Sequence, residues 1–422
     1  MSLRKNIFAN YLGVIGTALA PVLALPWYLN ILGPKQFGLI SFVVMFQSLL
    51  TLIDAGMSQA LVREIAIRFD TSSNDQRSTG LLLFGFERVY WLFAIVIGSL
   101  AVCFAGIIAK YWINLDGLPF DSGKEAIYGA AAIFACQFPG SIYRSLLVGT
   151  QKQVTLNSLM LIFTLIRHVG GVLVLMKWPM LFTYLFWQAV IAFVESLVRG
   201  WFAWGAIGVK RNQCVWSTTE LRLVWRLVAS LSGVTFLGAF TLQMDRIFLS
   251  RMVNIEQLGY YAIAATVATG VLQLISPLMQ AILPKAIQLR TNSIALYRLN
   301  IKLMGVLMLF VVLGVLAYMT LGQWILTLWL RTPETVTEVY PLLTVLLIGT
   351  GMNALCNVGY MNWIIHEKIN RVFQVNALSF ILSITLIPYF ITTQGTIGAA
   401  FGWLTINSIS LVLSSEWVKN RL

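Results

Sequence analysis

Apolar runs of about 20 residues recur from one end of this chain to the other, and that is the length that crosses a bilayer core roughly 30 Å thick. Backbone polar groups in hydrocarbon have no water to bond, so each run must satisfy them internally. The alternation of a barrel strand is absent, which leaves helices. The charge content agrees: 58% of the 422 residues are hydrophobic and 11% are charged, against about a quarter charged in soluble chains. The reading is an all-α integral membrane protein with twelve transmembrane helices. Their ranges are roughly 9–32, 38–62, 81–108, 126–149, 155–176 and 180–204, then 226–250, 257–283, 301–321, 337–363, 371–391 and 395–415. Two six-helix lobes, 1–208 and 226–422, are joined by a cytoplasmic linker at 209–225.

Lys and Arg set the orientation. With the N-terminus in the cytoplasm, 19 of them fall on the cytoplasmic side and six on the other. Basic loops stay inside, so both termini are expected there. The start, MSLRKNIFANYLG, is basic, but no small-residue cleavage pattern follows its apolar run. It reads as a first span and not as a removed leader.

The net charge of +13 is then a matter of loops and anionic lipid, not of nucleic acid. Cys103, Cys136, Cys214 and Cys356 are far apart, as are His168 and His366. No disulfide framework, metal site or cofactor is implied. There is no P-loop, GxSxG or HExxH, and no connection is long enough for a soluble catalytic domain. No enzyme activity is expected.

The chain carries an internal repeat. At an offset of 221 residues Gln36 falls on Gln257, Gly38 on Gly259, Gln59 on Gln280 and Ala60 on Ala281. Six spans per half is even, so the two halves are parallel repeats, as in transporters that rock two lobes about a central site.

Charges inside the spans are the strongest site signal, because each costs at least about 2.5–3.5 kcal/mol in the hydrocarbon. They are Asp54, Arg144, Arg167, Glu195, Arg199, Asp245 and Arg246, with His168 beside Arg167. The four arginines are candidates for substrate binding, since a guanidinium grips phosphate with two prongs. Asp54, Glu195 and Asp245 are candidates for ion coupling. Plainer readings stand beside these. Glu195 and Arg199 are four apart and suit a structural salt bridge. Arg144 is near enough to a span end to snorkel, and His168 suits a packed, hydrogen-bonded site. Asp245 and Arg246 are adjacent, so they point about 100° apart; one split sends Arg246 to substrate and Asp245 to a partner helix or a coupling ion. Pro21 and Pro26 are expected to interrupt span 1, Pro277 and Pro284 to mark span 8, and Pro139-Gly140 sits in span 4, each as a hinge or ion site or as a plain packing kink.

Several motifs occur in a telling order: Leu32-Gly33-Pro34-x-x-Phe37-Gly38, Asp54-Ala55-Gly56 before Arg63-Glu64, Asp245-Arg246-Ile247-Phe248-Leu249-Ser250, and Leu258-Gly259-Tyr260-Tyr261-Ala262. With the span count and duplication, they make the chain resemble, over its full length, the bacterial oligosaccharide-lipid flippases that export O-antigen and capsule repeat units. These share a superfamily with the multidrug and toxin extrusion (MATE) transporters and the lipid II flippase. The resemblance implies a MATE-like body of two lobes around a cavity that opens alternately to cytoplasm and periplasm. It implies an undecaprenyl-diphosphate-linked oligosaccharide as substrate, moved between leaflets of the inner membrane. Membrane lipids are expected partners, and a polysaccharide polymerase and chain-length proteins are candidate ones. Two rivals remain: a cation-coupled multidrug exporter of the same superfamily, and a non-transporting scaffold of a polysaccharide assembly complex.

Overall fold

A computed structural model describes residues 3–54, 56–69 and 73–418; Ala55 of the quoted motif and the basic Lys419 and Arg421 lie outside that set. Every described element is helical. In order they are α1 (Leu3–Leu32), α2 (Pro34–Thr51), α3 (Met57–Phe69), α4 (Ser73–Cys103), α5 (Ala105–Tyr111), α6 (Phe120–Gln137), α7 (Gly140–Gly149), α8 (Gln153–Leu165), α9 (Gly171–Lys177) and α10 (Leu181–Ile207). Then come α11 (Thr218–Thr241), α12 (Met244–Met252), α13 (Ile255–Gln288), α14 (Ser293–Leu330), α15 (Pro333–Ile365), α16 (Ile369–Gln394) and α17 (Thr396–Ser414). The described residues of the twelve expected ranges are mostly helical, several ranges in two pieces. Among the described residues, eight continuous stretches are long and apolar enough on their own to cross a membrane.

Several spans are divided. A 3₁₀ turn at Leu52–Asp54 separates α2 from α3, and a π turn at Ile166–Gly170 separates α8 from α9. Phe138-Pro139 separates α6 from α7, and Leu242-Gln243 separates α11 from α12. Proline explains only one of these breaks. Pro21 and Pro26 lie inside an unbroken α1, and α13 runs unbroken past Pro277 and Pro284. The expected interruption of span 1 is therefore corrected. A proline removes one helical hydrogen bond, and neighbouring helices and local adjustment can absorb that loss in a membrane bundle.

The repeat offset coincides with helix boundaries. Gly33, with φ of 80°, precedes α2, which opens at Pro34. Their counterparts 221 residues on are Asn254, which caps α13 through its side chain, and Ile255, where α13 opens. The breaks do not repeat: α1 is continuous where α11 and α12 are divided, and α13 is continuous where α2 and α3 are divided.

By its contacts the chain forms two compact units, Met1–Phe240 and Thr241–Leu422. The first is built on an apolar core that includes Leu61 of α3, Phe86 and Tyr90 of α4, Phe134 of α6 and Leu146 of α7. Helix α11 packs on this core through Val224 and Val228. A Cβ on Gly56 would stand 2.7 Å from the Ser232 backbone, so glycine is what lets these segments meet. The second unit packs Leu303 and Leu307 of α14 against Leu355 and Val358 of α15. A Cβ on Gly359 would fall 2.1 Å from the Ser414 carbonyl, so α15 and α17 meet backbone to backbone, as small residues allow in membranes. Asparagine side chains bond across its helices, Asn300 to Asn362 at 2.9 Å and Asn353 to Asn407 at 2.7 Å.

Candidate functional site

The first unit contains a π turn at Ile166–Gly170, which carries Arg167 and His168. Such single turns occur often at functional sites. Here the indole N–H of Trp187 donates to the Arg167 carbonyl at 3.1 Å, and the Tyr28 hydroxyl donates to the His168 carbonyl at 3.2 Å. The same hydroxyl lies 3.2 Å from His168 Nδ1, so the imidazole is hydrogen-bonded. Gly170 makes the arrangement possible: a Cβ there would lie 2.3 Å from Cζ2 of Trp187.

The turn aims Arg167 at α10. Its Nη2 reaches Oε2 of Glu195 at 2.8 Å, and its Nη1 lies 3.5 Å from Oε1 of Gln188. One helical turn on, Arg199 Nη2 donates to Oε1 of the same Glu195. Both guanidinium groups and the carboxylate are largely buried. Arg144, exposed on α7, is close enough to act electrostatically on Arg199. Two arginines thus share one buried carboxylate, a surplus of one positive charge, and the exposed Arg144 stands near Arg199 without a bond to Glu195 among the described contacts. Arg199 Nε and Gln188 Nε2 are buried and have no acceptor among the described residues. A positive cluster with unused donors, shielded from water, is suited to an anion with several oxygens.

The aspartates are placed differently. Asp54 ends the 3₁₀ turn between α2 and α3; it accepts a short hydrogen bond from the Tyr90 hydroxyl and another from Ser58 at 2.7 Å. In the second unit Asp245 lies in the first turn of α12. Its Oδ1 accepts from the Arg246 amide at 2.8 Å, and its Oδ2 accepts from the Tyr261 hydroxyl on α13 at 2.5 Å. Asp245 sits in the first turn of a helix, where backbone N–H groups favour a carboxylate. Arg246 is half-buried, and its Nε is buried with no acceptor among the described residues. It belongs to the second unit and is separate from the Glu195 cluster in the chain's division.

One buried acid escaped the sequence reading. Glu87 of α4 accepts from Tyr143 at 2.6 Å and lies 3.1 Å from Arg211 of the linker. Its neighbours Leu83, Phe86, Tyr90 and Ala94 form a buried stripe at helical spacing. That stripe is visible in the sequence and would have placed Glu87 inside. Tyr28, Tyr90, Trp187 and Tyr261 also shape the sites, and nothing in their local sequence distinguishes them from packing aromatics.

The described residues form a polytopic helical body with a buried carboxylate shared by two arginines, and comparison with known proteins narrows the class. The family model for polysaccharide biosynthesis proteins matches residues 3–290, and the chain belongs to that family. A Shigella flexneri protein named "Putative O-antigen transporter" is 20% identical over 437 residues, covering 100% of this chain and 99% of the relative. Among solved structures, the lipid II flippase MurJ in an inward closed conformation aligns with a TM-score of 0.76 at 15% identity, over 98% of this chain and 87% of that one. An inward-facing multidrug resistance MATE family transporter of the MOP superfamily aligns with a TM-score of 0.74 at 11% identity, over 95% and 94%. The likeness to these two structures is one of fold. The relatives are transporters and flippases, not enzymes.

Proposed function

We propose that this protein flips a lipid-linked oligosaccharide, carried on undecaprenyl diphosphate, from the cytoplasmic to the periplasmic leaflet of the inner membrane for O-antigen or capsule synthesis. The observation that carries the proposal is the convergence of Arg167 and Arg199 on the buried Glu195 in a chain of the polysaccharide biosynthesis family. A diphosphate headgroup loses hydration when it leaves water. Surplus guanidinium charge and unfilled buried donors offset that loss, while the lipid tail stays in the bilayer. Glu195 serves as the counter-charge that keeps the arginines folded and spaced when no substrate is bound. Arg246, in the second unit, is a substrate-binding candidate in its own right, with a buried Nε that has no acceptor among the described residues. Asp54 and Asp245, tied to tyrosines at helix breaks, are the positions where ion coupling would enter. With both termini cytoplasmic, the inside-negative potential drives each negative headgroup charge outward by about 2.3 kcal/mol per 100 mV, if the charge crosses the full field. Alternating access of the two lobes needs no ATP on this scheme. A cationic cluster argues against an exporter of organic cations.

The test uses proteoliposomes holding a lipid-diphosphate glycan, with protein-free vesicles as reference. The protein is expected to speed exposure of the glycan on the opposite leaflet; equal exposure with and without it overturns the proposal. A scaffold role would instead be favoured if Arg167→Ala with Arg246→Ala left glycan export intact.

A further inference from the structure

A second cationic site lies apart from the Glu195 cluster, at the end of the first unit where α8 begins and α10 ends. A cavity of about 820 Å³ is lined there by Lys152, Thr155, Trp201, Trp204, Lys210 and Arg211, among others. No acidic side chain lines it among the described residues. Arg211 is paired with Glu87 behind it at 3.1 Å, which fixes one cation in the wall. Lys152 and Lys210 are exposed and bring the other two. Lys152 also precedes α8, whose N-terminus has no side-chain cap, so free backbone N–H groups add to the positive field. The Trp204 indole N–H is buried and lacks an acceptor among the described residues.

The cavity continues into an apolar surface. Val190, Val194, Leu197 and Trp201 recur at helical spacing along α10, all exposed, with Trp201 73% exposed. This stripe leads from the cationic cavity down a membrane span. An anion-binding pocket continuous with a lipid-facing stripe fits a ligand that is charged at one end and apolar along the other. Basic pockets at the ends of membrane helices bind anionic headgroups in this way.

We propose that this cavity is a binding site for the phosphodiester headgroup of an anionic phospholipid from the surrounding leaflet, with its acyl chain lying along α10. The shared chemistry is a phosphate oxyanion, which a soluble phosphate would also offer. The apolar stripe is what favours the lipid. The site does not depend on which molecule the protein transports.

The test is native mass spectrometry of the full-length protein released from detergent. It counts retained phosphatidylglycerol against phosphatidylcholine, with affinities from titration. Lys152→Gln with Lys210→Gln is expected to lower the preference for phosphatidylglycerol about 30-fold, the factor that two lysine contacts of about 1 kcal/mol each give. Lys110→Gln with Lys177→Gln removes the same charge elsewhere and is expected to leave the preference unchanged. Both variants should keep the wild-type melting temperature in lipid-free detergent. Equal preference in wild type and the Lys152/Lys210 variant overturns the proposal, as does an equal loss in the Lys110/Lys177 variant. Displacement of the lipid by inorganic phosphate at matched concentration would assign the cavity to a soluble anion and overturn the lipid assignment.

Discussion

Glu195→Gln isolates what holds the arginine cluster together. In the folded protein Glu195 accepts from Arg167 at 2.8 Å and from Arg199, with all three side chains largely buried. The substitution keeps the shape and one acceptor oxygen but removes the carboxylate that both arginines share, so the surplus rises from one positive charge to two. Breaking a buried pair by removing one partner costs about 3–5 kcal/mol. The retained amide oxygen returns about 1 kcal/mol as a hydrogen bond, which leaves a loss of about 2–4 kcal/mol. At about 2–4 °C per kcal/mol for units of this size, the melting temperature in detergent should fall by about 5–15 °C. Added pyrophosphate, a soluble mimic of the headgroup, binds the folded state and should recover more stability in the variant than in wild type, because linkage scales with affinity. A variant as stable as wild type would refute the assignment of Glu195 as counter-charge. Equal stabilisation of both proteins by pyrophosphate would refute the claim that the anion meets this cluster.

Other expectations rest on single contacts. Gly170→Ala places a Cβ 2.3 Å from Trp187 Cζ2; it should displace the indole from the Arg167 carbonyl and lower glycan export, and export at the wild-type level would count against the π turn as the element that aims Arg167. Tyr261→Phe leaves Asp245 Oδ2 without its 2.5 Å donor and should cost about 1.5–3 kcal/mol in thermal unfolding, whereas Tyr111→Phe, at a 69% exposed site, should cost nothing measurable. Burial pushes the Cys214 thiol of the linker above its ordinary value, and Arg77 only partly offsets this. A raised pKa means less thiolate at neutral pH, so Cys214 should alkylate slowly at pH 7 and faster as pH rises past the ordinary thiol range. Rapid labelling at pH 7 in the folded protein would contradict its burial.

The helical class was legible because a bilayer demands a fixed length of apolar chain, and the described residues of the expected ranges are mostly helical. The Glu195–Arg199 spacing was legible because one helical turn joins them. That Arg167 would reach the same carboxylate was not, since it depends on a π turn, and the turn depends on Gly170 admitting Trp187. Helix breaks were misjudged at Pro21 and Pro26 because local propensity yields to packing, while the breaks at Asp54 and Gln243 carry no proline. Glu87 was overlooked for its place beside Arg88 near a span end, although the buried stripe of Leu83, Phe86 and Tyr90 runs through it.

Binding of a lipid diphosphate to Arg167→Gln addresses the central claim most directly. The substitution removes one of the two cations bonded to Glu195, which keeps its bond to Arg199. Loss of one charge-assisted contact of about 1.5–3 kcal/mol should weaken binding of the diphosphate lipid about 10- to 150-fold, with binding of a neutral lipid-linked glycan unchanged. Equal affinity of wild type and variant for the diphosphate lipid would contradict the account.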